Sequence, residues 1–184
     1  MPARKTIRSM LSSGRHRNSS GRTAEVVELV RANPKRASQL LECLWDEEPA
    51  VAMRAADALE KLTRLCPHTP DPAREPLLGL LQRSWKPALI GLLAEATENK
   101  LRWSLAAMVP RLAFTVSERE RVAETLRSYL EDRSSIVKTC ALQGLADLAR
   151  QDGSCRLRLV EPELLDDLLE LAMNLRPFAY AEPG

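Results

Sequence analysis

The sequence has few of the residues that favour β-sheets. Its 184 residues include only 9 valines, 3 isoleucines and 7 aromatic side chains, against 31 leucines and 23 alanines. Because β-branched and aromatic residues favour strands, whereas leucine and alanine favour helices, this balance predicts an all-α protein. A chain of this length is expected to form one domain.

The sequence also lacks the motifs on which most catalytic and metal sites depend. Its seven glycines are scattered and form no phosphate-binding loop, and its only histidines are His16 and His68. Cys66 and His68 could hold a metal with Cys43 as a third ligand, but a zinc site needs about four ligands. We therefore predict a protein that is not an enzyme and binds no metal or cofactor. A metal-dependent hydrolase is the alternative.

No run of 18 apolar residues is present, and no charged start precedes an apolar stretch of secretory type. The four cysteines form no C-x-x-C pair, which is typical of reduced thiols rather than of a disulfide framework. The net charge of +2 is too small to indicate a nucleic acid or an anionic membrane by itself. We expect a cytoplasmic protein without a membrane partner.

Charge is unevenly distributed along the chain. Residues 1–22 contain six bases and no acid, together with many serines and few large apolar groups. Such a segment buries too little surface to offset its ordering entropy, so we predict a flexible basic arm at 1–22. It could tether an anionic partner or serve as a transit peptide. The helical domain is expected to span 23–176, followed by a short tail at 177–184.

From Thr23 onward, apolar residues recur at helical spacing almost without interruption. Prolines and capping signals divide this stretch into about nine helices with short connections. Ser117 and Glu120 fit the S-x-x-E capping box, which predicts a helix start at Ser117.

Three segments of the chain superimpose: 46–59, 96–109 and 132–145. Each has an apolar anchor and a second apolar residue eight positions later, with small side chains between them that would let helices approach closely. The anchors are Val51, Leu101 and Val137, and the second positions are Leu59, Val109 and Leu145.

Asp in a turn, followed by V-[RK]-x-x-[AC]-[AL]-x-x-L in the next helix, resembles the HEAT repeat family. The segment that begins at Asp132 fits best, with Lys138 at the basic position. In the first copy Ala52 replaces the base, whereas the middle copy keeps Arg102 but has Ala96 in place of the Asp.

The resemblance covers roughly residues 35–151, with an incomplete unit at 161–175. It implies a short right-handed α-solenoid of antiparallel helix pairs, similar to HEAT and armadillo-like arrays. The last predicted helix fits the terminal unit of such an array, because its leucines lie on one side and its acids on the other. The acidic side could instead bind a cation or a basic partner. These acids are Glu163, Asp166, Asp167 and Glu170.

In such an array the second helix of each pair lines the inner face, so its bases are the predicted partner-binding residues. Trp103 lies away from the core stripe, where it is either an exposed binding anchor or packed against the neighbouring repeat. The predicted set is Arg54, Lys61, Arg64, Arg102, Trp103, Arg111, Lys138 and Arg150.

We expect these residues to bind a protein or an acidic peptide, so that the chain acts as a non-enzymatic scaffold. The alternative is a nucleic-acid-binding helical repeat protein, a class that includes DNA glycosylase-like arrays. Such a protein would bind phosphates with the basic arm and the inner-face bases. The sequence does not define the oligomeric state.

Overall fold

The computed structural model describes residues 6–13, 19–64 and 73–151. All regular structure in this part of the chain is helical, which confirms the all-α prediction for it. The α-helices are α1 (Ile7–Ser12), α2 (Thr23–Ala32), α3 (Ala37–Glu42), α4 (Pro49–Thr63), α5 (Arg74–Leu80), α6 (Lys86–Glu95), α7 (Asn99–Met108), α8 (Val116–Tyr129) and α9 (Ser135–Gln151). Short 3₁₀ segments follow α2, α3 and α7 at Pro34–Arg36, Cys43–Trp45 and Val109–Arg111.

Helix α4 is the central helix of the described structure. It begins with Pro49, whose fixed φ suits the first turn of a helix, and every residue from Ala50 to Glu60 is buried. Its alanines let other helices approach from several sides, and α4 contacts α1, α2, α5 and α7. The core is therefore organised around a helix with little side-chain bulk.

Helices α1, α4, α7 and α9 pack against one another in chain order. Helix α1 contacts α4, α4 contacts α7, and α7 contacts α9. Within pairs, α2 contacts α4 and α8 contacts α9, while α6 also contacts α8. At one edge of this arrangement Trp45 stacks on Trp85, with ring centroids 5.6 Å apart and Trp45 44% exposed.

The prediction of a flexible arm at 1–22 is wrong for the described part of that segment. Residues 6–13 form α1 and its flanks, and Ile7, Met10 and Leu11 are buried in the core. These residues have the i, i+3, i+4 spacing of a helix stripe, and Thr6 caps the helix by accepting a hydrogen bond from the Ser9 amide. Three apolar side chains on one side of a short helix are thus enough to pack it into the core, although the segment is mostly polar and basic.

One predicted helix start is displaced, and one connection between helices is itself helical. The helices α5 and α6 are joined by a π-helical turn at Leu81–Trp85. Helix α8 is capped by Thr115 and Glu118, whose side chains satisfy each other's backbone amides, so the capping box lies two residues before the predicted one. Thr115 has the extended backbone that an N-cap residue requires.

The three superimposed segments occupy comparable positions. The anchors Val51, Leu101 and Val137 are all buried, at 0%, 8% and 0% exposure. The second apolar position of each segment is fully buried as well.

An Arg–Asp pair recurs at equivalent positions of the fold. Asp46 accepts from the Glu48 amide at 3.0 Å and from Arg8 Nε at 2.6 Å. Asp132 likewise accepts from the amide two residues later, at 2.6 Å, and pairs with Arg102. Both Arg residues follow a buried apolar residue on the preceding second helix, which makes α1 the equivalent of α7.

The predicted terminal helix at 161–175, the tail at 177–184 and the candidate metal ligands Cys66 and His68 lie outside the described residues.

Candidate partner-binding face

The candidate site lies on α4 and α7, where two buried carboxylates are each approached by two bases. Helix α4 supplies both carboxylates and the base Lys61, and the residue that follows it, Arg64, supplies the first base of the other carboxylate. The second base comes from α7 or from the 3₁₀ turn that follows it. We call these groups the Asp57 cluster and the Glu60 cluster.

In the Asp57 cluster, Lys61 Nζ lies 3.1 Å from Asp57 Oδ2, and Lys100 Nζ lies 4.0 Å from the same oxygen. Lys61 is one helical turn beyond Asp57, which is the spacing at which opposite charges on a helix meet. The carboxylate is 6% exposed, whereas the lysines are 38% and 20% exposed. The solvent-facing part of this cluster is therefore basic.

In the Glu60 cluster, Arg64 donates to both carboxylate oxygens, with Nε 3.1 Å from Oε1. Arg111 reaches the same carboxylate from the turn after α7, with Nη2 2.7 Å from Oε1. Its Nη1 also donates to the Glu60 carbonyl oxygen and to Thr63 Oγ1, at 2.9 and 2.8 Å. Arg111 thus fastens the end of α7 to the last turn of α4.

The charge state of Glu60 follows from this arrangement. Burial by itself would raise the pKa of the Glu60 carboxyl, but the hydrogen bonds and charges of Arg64 and Arg111 outweigh it and hold the pKa below its ordinary value. Glu60 is therefore ionised at neutral pH although it is 3% exposed. A buried carboxylate with two guanidinium partners is a structural anchor rather than an acid or base.

The thiol of Cys140, whose pKa is affected by Glu60, is unsuited to nucleophilic chemistry. Burial, and to a smaller extent Glu60, raises the pKa of Cys140 to about 11. Burial also raises the pKa of Cys43 to about 11. Because the thiolate is the reactive form, neither cysteine is activated.

Arg54 is not part of a binding surface, so its prediction as a partner-binding residue is wrong. Its side chain is 1% exposed, and it donates to the carbonyl oxygens of Leu11 and Ser19. It joins α4 to the N-terminal helix and to the chain that follows it. The partner oxygens come from residues 43 and 35 positions earlier in the chain, which local spacing could not reveal.

Arg102 and Trp103 also have internal roles. Arg102 pairs with Asp132 and lies over the Tyr129 ring, 4.2 Å from its centroid. The Tyr129 hydroxyl donates to the Leu93 carbonyl oxygen, so these contacts join α6, α7, α8 and the turn before α9. Trp103 is half-buried and packs against the core rather than standing fully exposed.

The remaining predicted residues lie on α9. Lys138 is exposed, and Arg150 is 71% exposed and pairs with Asp147 at 2.7 Å. The structure therefore brings Lys61, Arg64 and Arg111 together and leaves the α9 bases outside the two clusters. The sequence pattern did not identify Glu60 or Lys100. Glu60 lies four residues before Arg64, a spacing that could have indicated an ion pair.

Among the described residues, no group of three or more His, Cys, Asp or Glu side chains could hold a metal ion. In the same part of the chain, no helix is both long and apolar enough to span a membrane.

No family model, curated protein or solved structure matches the chain.

Proposed function

We propose that the protein is a non-enzymatic scaffold that binds an acidic segment of another protein across the Asp57 and Glu60 clusters. The main support for this proposal is that the carboxylates of these clusters are buried while their bases reach the surface. The six side chains carry four positive and two negative charges. A partner with carboxylates would meet a local excess of positive charge.

The architecture that we propose for this scaffold is a short right-handed α-solenoid of HEAT-like repeats. Its support is the packing of α1, α4, α7 and α9 in chain order, together with the two Arg–Asp pairs at equivalent positions. Such arrays present the second helix of each pair along one continuous face, which suits an extended peptide.

An acidic peptide fits these observations better than a nucleic acid. Two of the bases predicted to grip phosphates, Arg54 and Arg102, are used within the fold. Part of the basic arm is packed in α1, where Arg8 pairs with Asp46. Of the other predicted bases, Lys61, Arg64 and Arg111 lie in the two clusters, whereas Lys138 and Arg150 lie apart from them on α9.

The test uses a fluorescent glutamate-rich peptide and a glutamine-rich control peptide of equal length, with binding followed by fluorescence anisotropy. The variant is Lys61→Gln with Arg64→Gln, which leaves Lys100 on Asp57 and Arg111 on Glu60. Both carboxylates keep a partner, while the formal charge of the clusters falls from +2 to 0. We expect the variant to bind the acidic peptide at least about fivefold more weakly.

The matched control is Arg121→Gln with Arg127→Gln, which removes two charges from the exposed side of α8. Equal weakening in both double variants would show that net charge, and not this face, controls binding. A duplex DNA probe titrated over a salt series addresses the alternative function, because phosphate contacts give a steep loss of affinity with salt. Tight, salt-sensitive DNA binding without peptide binding would contradict the proposal.

A further inference from the structure

Two positions on the second helix of each layer lie towards the layer that follows. On α7 they are Arg102, which pairs with Asp132 of the next layer, and Ala106, whose carbonyl oxygen would lie 2.6 Å from a Cβ placed on Gly144 of α9. These are the first and fifth residues after the anchor Leu101. Arg102 thus reaches the turn before α9, and Ala106, which is fully buried, lies beside Gly144 of α9.

The same two positions are covered on α4 and uncovered on α9. On α4 they are Ala52 and Ala56, with 7% and 0% exposure. On α9 they are Lys138, which is exposed, and Leu142, which is half-buried. Among the described residues, Leu142 on α9 is therefore less covered than its counterparts Ala56 on α4 and Ala106 on α7, and Lys138 is exposed, as Arg8 is on α1.

The bases at the first of these positions follow a rule. Arg8 and Arg102 each pair with an Asp in the turn of the next layer, Asp46 and Asp132. Where the base is replaced by Ala52, the next layer has Ala96 in place of the Asp. A base at this position is therefore accompanied by an acid in the next layer, and an alanine by an alanine. By this rule we expect Lys138 to have an acidic partner in the chain beyond α9.

The acids available outside the described residues lie almost entirely after α9. Residues 1–5 and 14–18 contain none, and residues 65–72 contain only Asp71. Residues 152–184 contain seven acids and three bases and continue directly from Gln151. In a second copy, residues 1–22 would bring no acid to Lys138 either.

We propose that the chain's own segment 161–175 binds the Lys138 and Leu142 surface of α9, with an acidic side chain on Lys138 and leucines against Leu142. The segment supplies five acids and six leucines within 15 residues. Charge complementarity and apolar contact are then both satisfied by one continuous stretch of the same molecule.

The test is zero-length carbodiimide crosslinking of the full-length wild-type protein, followed by peptide mass spectrometry. This reagent joins a lysine amine to a carboxylate only where the two are in contact. Lys86 and Glu118, with Nζ 2.7 Å from Oε2, provide the internal positive control. We expect a crosslink from Lys138 to an acid within 161–175.

An equimolar mixture of ¹⁵N-labelled and unlabelled protein separates contacts within one molecule from contacts between copies. The proposal requires unmixed isotopes in the crosslinked peptides. Mixed isotopes would assign the surface to a second copy and overturn it. A Lys86–Glu118 crosslink without any crosslink from Lys138 to 161–175 would overturn it too.

A pair of neighbouring substitutions gives an independent measurement. Leu142→Asp places a charge in the proposed contact, whereas Gln143→Asp places the same charge at an exposed position one residue further. We expect Leu142→Asp to lower Tm by about 4 °C more than Gln143→Asp. Leu142 is also partly buried by the described residues, and this contribution must be separated from the proposed contact. The Leu142→Asp and Gln143→Asp measurements are therefore repeated in a protein that also carries Leu168→Asp. The additional loss should then shrink, and a loss that stays unchanged would overturn the proposal.

Discussion

The junction between α4 and α7 and the junction between α7 and α9 use different polar contacts to join equivalent helices. At the α7–α9 junction, Arg102 and Asp132 form an ion pair at the turn, and the helices approach closely at Gly144. At the α4–α7 junction, alanines replace this pair, and the two charge clusters cross the helix interface instead. The two junctions therefore join consecutive helices of the row α4, α7, α9 through polar contacts of different kinds.

This difference separates two demands on a stacked helical protein. The anchors Val51, Leu101 and Val137 are all buried, whereas the polar contacts between consecutive helices differ. Of the two junctions compared, the α4–α7 junction combines its polar contacts with an outward-facing group of bases. At the α4–α7 junction, the residues proposed to bind a partner would then be the same ones that align the helices. At the α7–α9 junction they would be different residues.

The largest expected effect comes from breaking the α4–α7 junction with Glu60→Gln. The variant leaves two guanidinium groups beside a neutral amide, and we expect a loss of about 3 kcal/mol in the free energy of unfolding at pH 7. The measurement is urea unfolding followed by circular dichroism, with the exposed Glu124→Gln as the control.

The effect of Glu60→Gln should depend on pH. The Glu60 pKa is lowered in the folded state, so its contribution is complete above the unfolded pKa of about 4.3 and is lost as pH falls through the folded value. The difference between the wild type and the variant should therefore shrink as pH falls below about 4.3 and close only below the lowered folded pKa. A constant difference from pH 7 to pH 3 would contradict the assigned ion pairs.

Breaking the turn pair of the α7–α9 junction should have the next largest effect. We expect Asp132→Asn to cost about 2 kcal/mol, because the Asp132 side chain is 4% exposed and Arg102 would lose its charged partner. Asp46→Asn is the equivalent change beside the 57% exposed Arg8, where solvent screens the pair. Thermal unfolding should show a much smaller loss for it, and equal losses would mean that burial does not distinguish the pairs.

The close approach at Gly144 gives a smaller effect with an unusual control. A Cβ there would lie 2.6 Å from the Ala106 carbonyl oxygen and 2.9 Å from Pro110 Cγ, so Gly144→Ala should destabilise by about 1–2 kcal/mol. Gly91 has no atom within 4 Å of its added Cβ. Gly91→Ala should therefore stabilise α6 by about 0.5 kcal/mol. Opposite signs in Tm are the expected result, and stabilisation by both would exclude tight packing at Gly144.

The smallest effect would come from giving the α4–α7 junction the turn pair of its neighbour. Ala52→Arg and Ala96→Asp should each destabilise alone, because each introduces a charge without its partner. We expect the double variant to recover about 1 kcal/mol relative to the sum of the single losses. Strict additivity in this cycle would mean that the two positions do not meet as Arg102 and Asp132 do.

Periodicity was sufficient to predict helices and the three buried anchors, because both depend on local spacing. It did not predict α1, since composition obscured a short apolar stripe whose packing depends on α4. The capping box was misplaced because both Thr115 with Glu118 and Ser117 with Glu120 satisfy the same pattern, and only the backbone at Thr115 selects between them.

The bases were the least predictable part of the candidate site. Their positions on the second helices followed from the repeat, but their use depends on distant partners. Arg111 meets a carboxylate 51 residues away and Arg54 a carbonyl oxygen 43 residues away. Sequence spacing can predict that an arginine lies on a helix. It does not predict whether the guanidinium group faces solvent or joins two segments of the chain.

The stacked indoles of Trp45 and Trp85 make the molecule its own optical reporter. Two stacked chromophores at this separation, with their planes inclined at 27°, couple their electronic transitions, which produces a paired signal in the circular dichroism spectrum. Trp45 precedes α4 and Trp85 precedes α6, so the signal vanishes when these two parts of the chain separate. Loss of that signal before the loss of helicity would reveal a native-like helical state in which the first layers have already come apart.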